Sequence, residues 1–91
     1  MKIIKRNGAE QLFDPKKIVN AITKANDAVA ENCRMTEMQI KRISESVVHA
    51  CEKLGRTPGV EEVQDIVEHQ IMSHGAYEVA KAYITYRYTR M

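Results

Sequence analysis

Ninety-one residues, 44% of them hydrophobic and 29% charged, suit one small folded domain with a single modest core rather than a disordered chain. Fourteen basic residues against twelve acidic ones leave a net charge of +2, too balanced for charge alone to point to nucleic acid. No signal peptide opens the chain and no apolar run approaches the roughly eighteen residues of a membrane span, so a cytoplasmic chain without membrane contact is expected.

Residues 2–13 read as a β-hairpin. Asn7-Gly8 stands between the apolar pairs Ile3-Ile4 and Leu12-Phe13, and Asn-Gly is the strongest short signal for a two-residue type I′ turn. That turn sets Arg6 opposite Ala9, Lys5 opposite Glu10, Ile4 opposite Gln11 and Ile3 opposite Leu12. A lone hairpin is marginal in water, so it must rest on the rest of the chain.

Four helices follow. The first spans about 15–30, with Asp14 as cap, Pro15 at the first helical position, and Ile18, Ala21, Ile22, Ala25 and Val29 at helical spacing. Residues 30–35 are polar and read as a loop. The second covers about 36–54, opened by a capping box in Thr36-Glu37-Met38-Gln39 and closed by Gly55. Its stripe is Ile40, Ile43, Val47, Cys51 and Leu54. A third over about 60–73 carries Val60, Val63, Ile66, Val67 and Ile71. A fourth over about 76–89 carries Tyr77, Ala80, Tyr83, Ile84 and Arg87, with Tyr77 and Tyr83 expected partly in the core. The expected fold is mostly α: a single domain over 1–91 in which an N-terminal hairpin covers a four-helix bundle. Cys51 reads as a buried thiol on its stripe and Cys33 as a loop residue. Without CxxC spacing or partners for a metal, the two fit a reducing compartment.

No catalytic constellation emerges. The serines lack a nucleophile-elbow context, and His69 and His74 are five apart rather than the four of a helical zinc pair. Phosphate-cradling glycine loops are absent as well. What remains is a basic front: Lys5 and Arg6 beside the hairpin turn, and Lys16 and Lys17 in the first turn of a helix. Cations there oppose the helix dipole, which favours anions, and helix starts offer amides to phosphate. In a flat strand Lys5 and Arg6 point to opposite faces, so gripping one ligand requires strong twist or a ligand that wraps.

Ile4-Lys5-Arg6-Asn7-Gly8, then Phe13-Asp14 and Lys17-Ile18, resemble the opening of the ATP-cone domain. Val63-Gln64-Asp65-Ile66-Val67-Glu68 resembles its third-helix motif. Glu78-Val79-Ala80-Lys81-Ala82-Tyr83-Ile84, with Tyr86-Arg87, resembles its closing helix. The likeness covers essentially the whole chain, in order. It implies an allosteric module of ribonucleotide reductases that binds ATP or dATP, with Mg2+, and whose closing run is most similar to the anaerobic, glycyl-radical class. By position, the resemblance implies that Lys5, Arg6, Lys17 and Arg90 meet phosphates, and that Gln64, Val60, Gln11 and Ile4 meet base or sugar. A second nucleotide, which some cones hold, would be sought at Lys81, Tyr83 and Arg87. Gln11 stands where relatives commonly carry an acid, and Glu10 comes one place early.

The implied partners are an adenine nucleotide, a reductase catalytic domain absent from these residues, and a second copy of the cone, with the tyrosine-arginine face of the last helix as the pairing surface. The expected chain is a regulatory fragment, not an enzyme by itself: an excised domain rather than a free-standing sensor. The alternatives are the cone of a nucleotide-sensing repressor of reductase genes, or a small basic module that binds nucleic acid or protein.

Overall fold

The structure, a computed structural model, describes residues 1–89. Two short strands, β1 (Lys2–Ile4) and β2 (Glu10–Leu12), precede four helices: α1 (Lys16–Asp27), α2 (Glu37–Glu52), α3 (Val60–Ser73) and α4 (Tyr77–Thr89). The chain is thus mostly helical with an antiparallel hairpin at its start, and a single 3-10 turn (Glu31–Cys33) interrupts the polar α1–α2 connection.

The hairpin register is one residue away from the expected one. Lys2 pairs with Leu12, Ile3 with Gln11 and Ile4 with Glu10. Gly8 alone in the turn has positive φ, at 88°. The Gly8 amide donates to the Lys5 carbonyl (2.8 Å), and the Lys5 amide to the Ala9 carbonyl (2.9 Å). This is a three-residue loop, Arg6-Asn7-Gly8, with glycine in the left-handed position of a bulge rather than a two-residue type I′ turn. The Asn7 side chain is the reason: its Oδ1 accepts the Ala9 amide (3.0 Å), which holds Asn7 at negative φ and leaves the strained position to Gly8. A slip of one exchanges the faces, so Ile3 is buried beside Gln11 while Glu10 turns to accept from the Thr57 hydroxyl (3.2 Å).

β1 is tied down on its other edge. The Ile4 amide donates to the Pro58 carbonyl (2.9 Å), and Ile4 bridges Gly59 in parallel. The hairpin is therefore anchored to the loop that enters α3, and its position follows that helix.

Capping chemistry sets the helix starts. Asp14 accepts the Lys16 amide on its carboxylate (2.9 Å) and the Lys17 amide on its carbonyl (2.9 Å), and Pro15 already has helical angles. These first amides are spoken for, contrary to the expectation that the start of α1 offers free donors to an anion. Thr36 and Gln39 exchange both bonds of a capping box. At α3, Glu62 Oε1 accepts the Gly59 amide (3.0 Å), while glycine has no side chain to reciprocate.

The core runs through all four helices and Ile3, with Ile22, Ile43 and Ile71 fully enclosed. Cutting one of these to alanine should cost about 2–5 kcal/mol. Helix α4 joins through Val79, Ala80 and Tyr83, whereas Tyr77 is 62% exposed, unlike its expected core role. Leu54 likewise lies outside the buried stripe of α2, past the helix end. Asn26, buried in α1, both accepts from the Met35 amide (2.7 Å) and donates to its carbonyl (3.1 Å), locking the α1–α2 connection as a strand neighbour would. Cys51 is buried and its thiol pushed up, chiefly by burial, with Glu62 and Glu52 adding; Cys33 is half-buried, and both are free thiols. Among the described residues, no helix is long and apolar enough to cross a membrane.

Candidate functional site

One cleft opens where the hairpin meets α1, α3 and α4. It has two lobes that share Phe13, Lys17, Val60, Gln64 and Arg87. The inner lobe, about 220 Å³, is walled by Ile18 and Ala21 of α1, Val63 and Val67 of α3, and Tyr83 and Tyr86 of α4. The outer lobe, about 380 Å³, adds Lys5, Arg6 and Gln11 from the hairpin. An apolar slot thus leads to a mouth lined with cations. Together the lobes fall in the size range of small-molecule sites, which are apolar with a few placed polar groups.

The three-residue loop explains how Lys5 and Arg6 both reach this mouth. Lys5 follows β1 directly, on the same side as Ile3, two residues back, and its amide still pairs with the Ala9 carbonyl. Arg6 lies in the loop, outside the strand's alternation, so the opposite-face conflict expected of a flat strand does not arise. Lys17, in the first turn of α1, closes the third side. Among the described residues no ion pair involves Lys5 or Lys17, whereas Arg6 Nε stands 3.2 Å from Glu61 Oε1.

At the junction of the lobes sits Gln64. Its Oε1 is buried and has no hydrogen-bond partner. A buried acceptor left unmet costs about 1–3 kcal/mol, so such an atom in a cleft wall marks a place where a donor is wanted.

Arg87 is the most enclosed cation here, its side chain only 15% exposed. Its Nη1 donates to Asp65 Oδ1 (2.8 Å) and Glu68 Oε1 (3.0 Å). Burial pushes its pKa down, but the bonds to Asp65 and Glu68 outweigh that and the net shift is upward. The two carboxylates offset the charge of Arg87, so the cations left to an anion are those of the outer mouth, Lys5, Arg6 and Lys17. The Tyr83 hydroxyl is pushed up to about 12, mainly by burial, so it stays a neutral donor. Tyr86 packs near Tyr83, with ring centroids 6.5 Å apart, and Lys24 Nζ lies 5.8 Å from its ring centre.

Of the residues singled out from sequence, Lys5, Arg6, Lys17, Gln64, Val60 and Gln11 converge on this cleft. Ile4 does not line it; its backbone is engaged with Pro58 and Gly59. Arg90 lies outside the described residues. The set Lys81, Tyr83 and Arg87 does not come together: Lys81 is 74% exposed beside Glu78, while Tyr83 and Arg87 line the cleft already described. Arg87 thereby leaves the outer face of α4, where pairing was expected, to the exposed Tyr77 and Tyr88. Sequence reasoning did not assign Phe13 to the cleft, nor did it pair the acids Glu61, Asp65 and Glu68 with the cleft's arginines.

The family model of the ATP cone domain matches residues 1–91. The chain belongs to the ATP-cone family. ATP-cones are regulatory, ATP-binding modules of ribonucleotide reductases and are not catalytic by themselves. The cone here is 38% identical over 94 residues to the ribonucleoside-diphosphate reductase subunit alpha of Chlamydia pneumoniae, which matches 97% of this chain and 9% of that protein. It is 34% identical over 98 residues to the corresponding subunit of Chlamydia trachomatis (99% of this chain, 9% of the relative). It is 36% identical over 91 residues to the anaerobic ribonucleoside-triphosphate reductase of Haemophilus influenzae (97% and 12%). The chain spans about a tenth of the length of these relatives.

Proposed function

We propose that this ATP-cone binds an adenine nucleotide in the cleft, base inward and phosphates outward, and reports ATP against dATP to a reductase catalytic domain. The observation that carries the reading is the unpartnered Gln64 Oε1 at the junction of an apolar lobe and a basic mouth. The 6-amino group of adenine supplies the donor this oxygen lacks; guanine presents a carbonyl at that position. Val60 and the inner lobe take the ring, and Lys5, Arg6 and Lys17 take the phosphates through charge-assisted bonds. Tyr83 and Arg87 belong to this same cleft. With the observed register, Gln11 and not Glu10 faces the cleft, and it is the hairpin's contact for the sugar.

ATP and dATP differ by one 2′-hydroxyl. A ligand shifts an equilibrium only by its differential affinity for the two states, so that hydroxyl must favour one arrangement of the cone, or one association of two cones, over another. The hairpin is the element placed to carry the difference, because it holds Gln11 and is tied through Pro58 and Gly59 to the start of α3. Mg2+ would enter with the nucleotide, as the counter-ion of its triphosphate. Within the family, the run Ala80-Lys81-Ala82-Tyr83-Ile84-Thr85-Tyr86-Arg87 favours the anaerobic class.

Calorimetry with ATP, dATP, GTP and a short oligonucleotide, in magnesium, tests the reading. Heat with both adenine nucleotides and a weaker response to GTP is the expected result. Silence with ATP and dATP, or affinity that grows with strand length and collapses with salt, would overturn it in favour of a nucleic-acid module.

A further inference from the structure

Three acids of α3, Glu61, Asp65 and Glu68, recur at spacings of four and three and so share one face of the helix. Each meets an arginine of the cleft, but the two arginines are held differently. Arg87 is largely enclosed and gripped by two carboxylates at 2.8 and 3.0 Å. Arg6 is 45% exposed and meets one carboxylate, that of Glu61, itself 57% exposed, through a single 3.2 Å contact. Enclosed double contacts persist, whereas an exposed single pair is weak and readily exchanged.

Arg6 is also one of the cations of the outer lobe. A polyphosphate is a better partner for it than Glu61, with more charge and with oxygens spaced for both edges of a guanidinium. We propose that Glu61 competes with the nucleotide's phosphates for Arg6 and so sets the affinity of the site. The proposal rests on the reading of Arg6 as a phosphate ligand. On binding, Arg6 leaves the carboxylate for phosphate oxygens, and the 3.2 Å contact with Glu61 is given up. That loss weakens binding. The α3 face thus keeps one arginine, Arg87, fixed as part of the wall, and holds the other, Arg6, in a contact that the ligand must replace. Lys5 and Lys17, which make no ion pair among the described residues, need no such exchange.

The test is a double-mutant cycle on the 91-residue chain, with ATP affinity measured by calorimetry in magnesium and folding followed by circular dichroism. Glu61→Gln keeps the shape of the side chain and removes its charge. In the parent background it should tighten ATP binding roughly two- to fivefold, with the gain shrinking as salt is raised. In the Arg6→Ala background the same change should alter affinity by less than twofold. An unchanged or weaker affinity in Glu61→Gln alone would overturn the proposal, since Glu61 would then be a bystander or a support for Arg6. Equal tightening in both backgrounds would also overturn it, because the effect would be general repulsion rather than competition for Arg6. If Arg6→Ala alone binds ATP as well as the parent, the fault lies instead with the phosphate reading of Arg6.

Discussion

Replacing Gln64 by leucine should make the unliganded protein more stable and the nucleotide complex weaker. The side-chain oxygen of Gln64 is buried without a partner, and Val60, Val63 and Val67 line the same wall. Leucine is close to glutamine in size, so it leaves no large cavity while removing the unmet acceptor. An orphaned buried polar atom costs about 1–3 kcal/mol. Gln64 as a whole is only partly buried, so the low end, about 1 kcal/mol, is the appropriate gain. For a domain of this size that raises the melting temperature by about 4–8 °C. The same change deletes the acceptor for the adenine amino group, a hydrogen bond worth about 0.5–1.5 kcal/mol, or roughly two- to tenfold in ATP affinity. GTP, which has no amino group there, should be nearly unaffected, so the preference for adenine should narrow. Thermal melts by circular dichroism and parallel ATP and GTP titrations measure both halves. A variant that melts lower than the parent and binds ATP equally well would refute the reasoning, because the oxygen would then be neither strained in the free cone nor used in the complex.

Alanine at Lys5, Arg6 or Lys17 should each weaken ATP and dATP together by about 1–3 kcal/mol, roughly five- to 150-fold, with little change in melting temperature; titrations of the three variants against both nucleotides check this. Losing Lys17 should slightly raise the stability of the free protein, since its charge opposes the α1 dipole. The Arg56–Glu62 pair predicts a pH dependence. Its bonds lie at 2.7 and 2.8 Å, and Arg56, with the Gly59 amide next, holds the Glu62 carboxyl down at about 2 from an ordinary 4.5. A carboxyl lowered on folding contributes stability that is complete above its unfolded value and fades as pH falls toward the folded one. The melting gap between parent and Glu62→Gln should therefore stay constant from pH 7 to about 5 and close as pH falls toward 2; a gap that does not change below pH 4 contradicts the assignment.

Local signals in the sequence account for much of this architecture. Asp14 and the Thr36…Gln39 box cap helices because their side chains reach amides two or three residues away, and such bonds need no tertiary information. The hairpin was legible as a hairpin but not in its register. Asn-Gly serves a two-residue turn or a three-residue bulged loop, and the choice fell to one hydrogen bond that the Asn7 side chain accepts from the Ala9 amide. That single residue of slip places Gln11 on the cleft face and frees Arg6 from strand alternation. Tyr77 was misplaced because α4 carries apolar side chains around much of its circumference, so spacing alone does not choose between the Val79 and Tyr77 faces. The acids escaped notice for another reason. Glu61 and Arg6 are far apart in the chain, as are Arg87 and Glu68, and their meeting depends on how the hairpin and α4 dock on α3.

The central claim is that one cleft, between the hairpin and helices α1, α3 and α4, receives an adenine nucleotide with its base inward. Backbone and side-chain NMR of the labelled chain, titrated with ATP, tests it most directly. The account predicts the largest shifts at Lys5, Arg6, Lys17, Val60, Gln64 and Tyr83, with contacts between the adenine protons and the Val60 and Val63 methyl groups. Shifts clustered instead on the outer face of α4 around Lys81, with this cleft undisturbed, would contradict it.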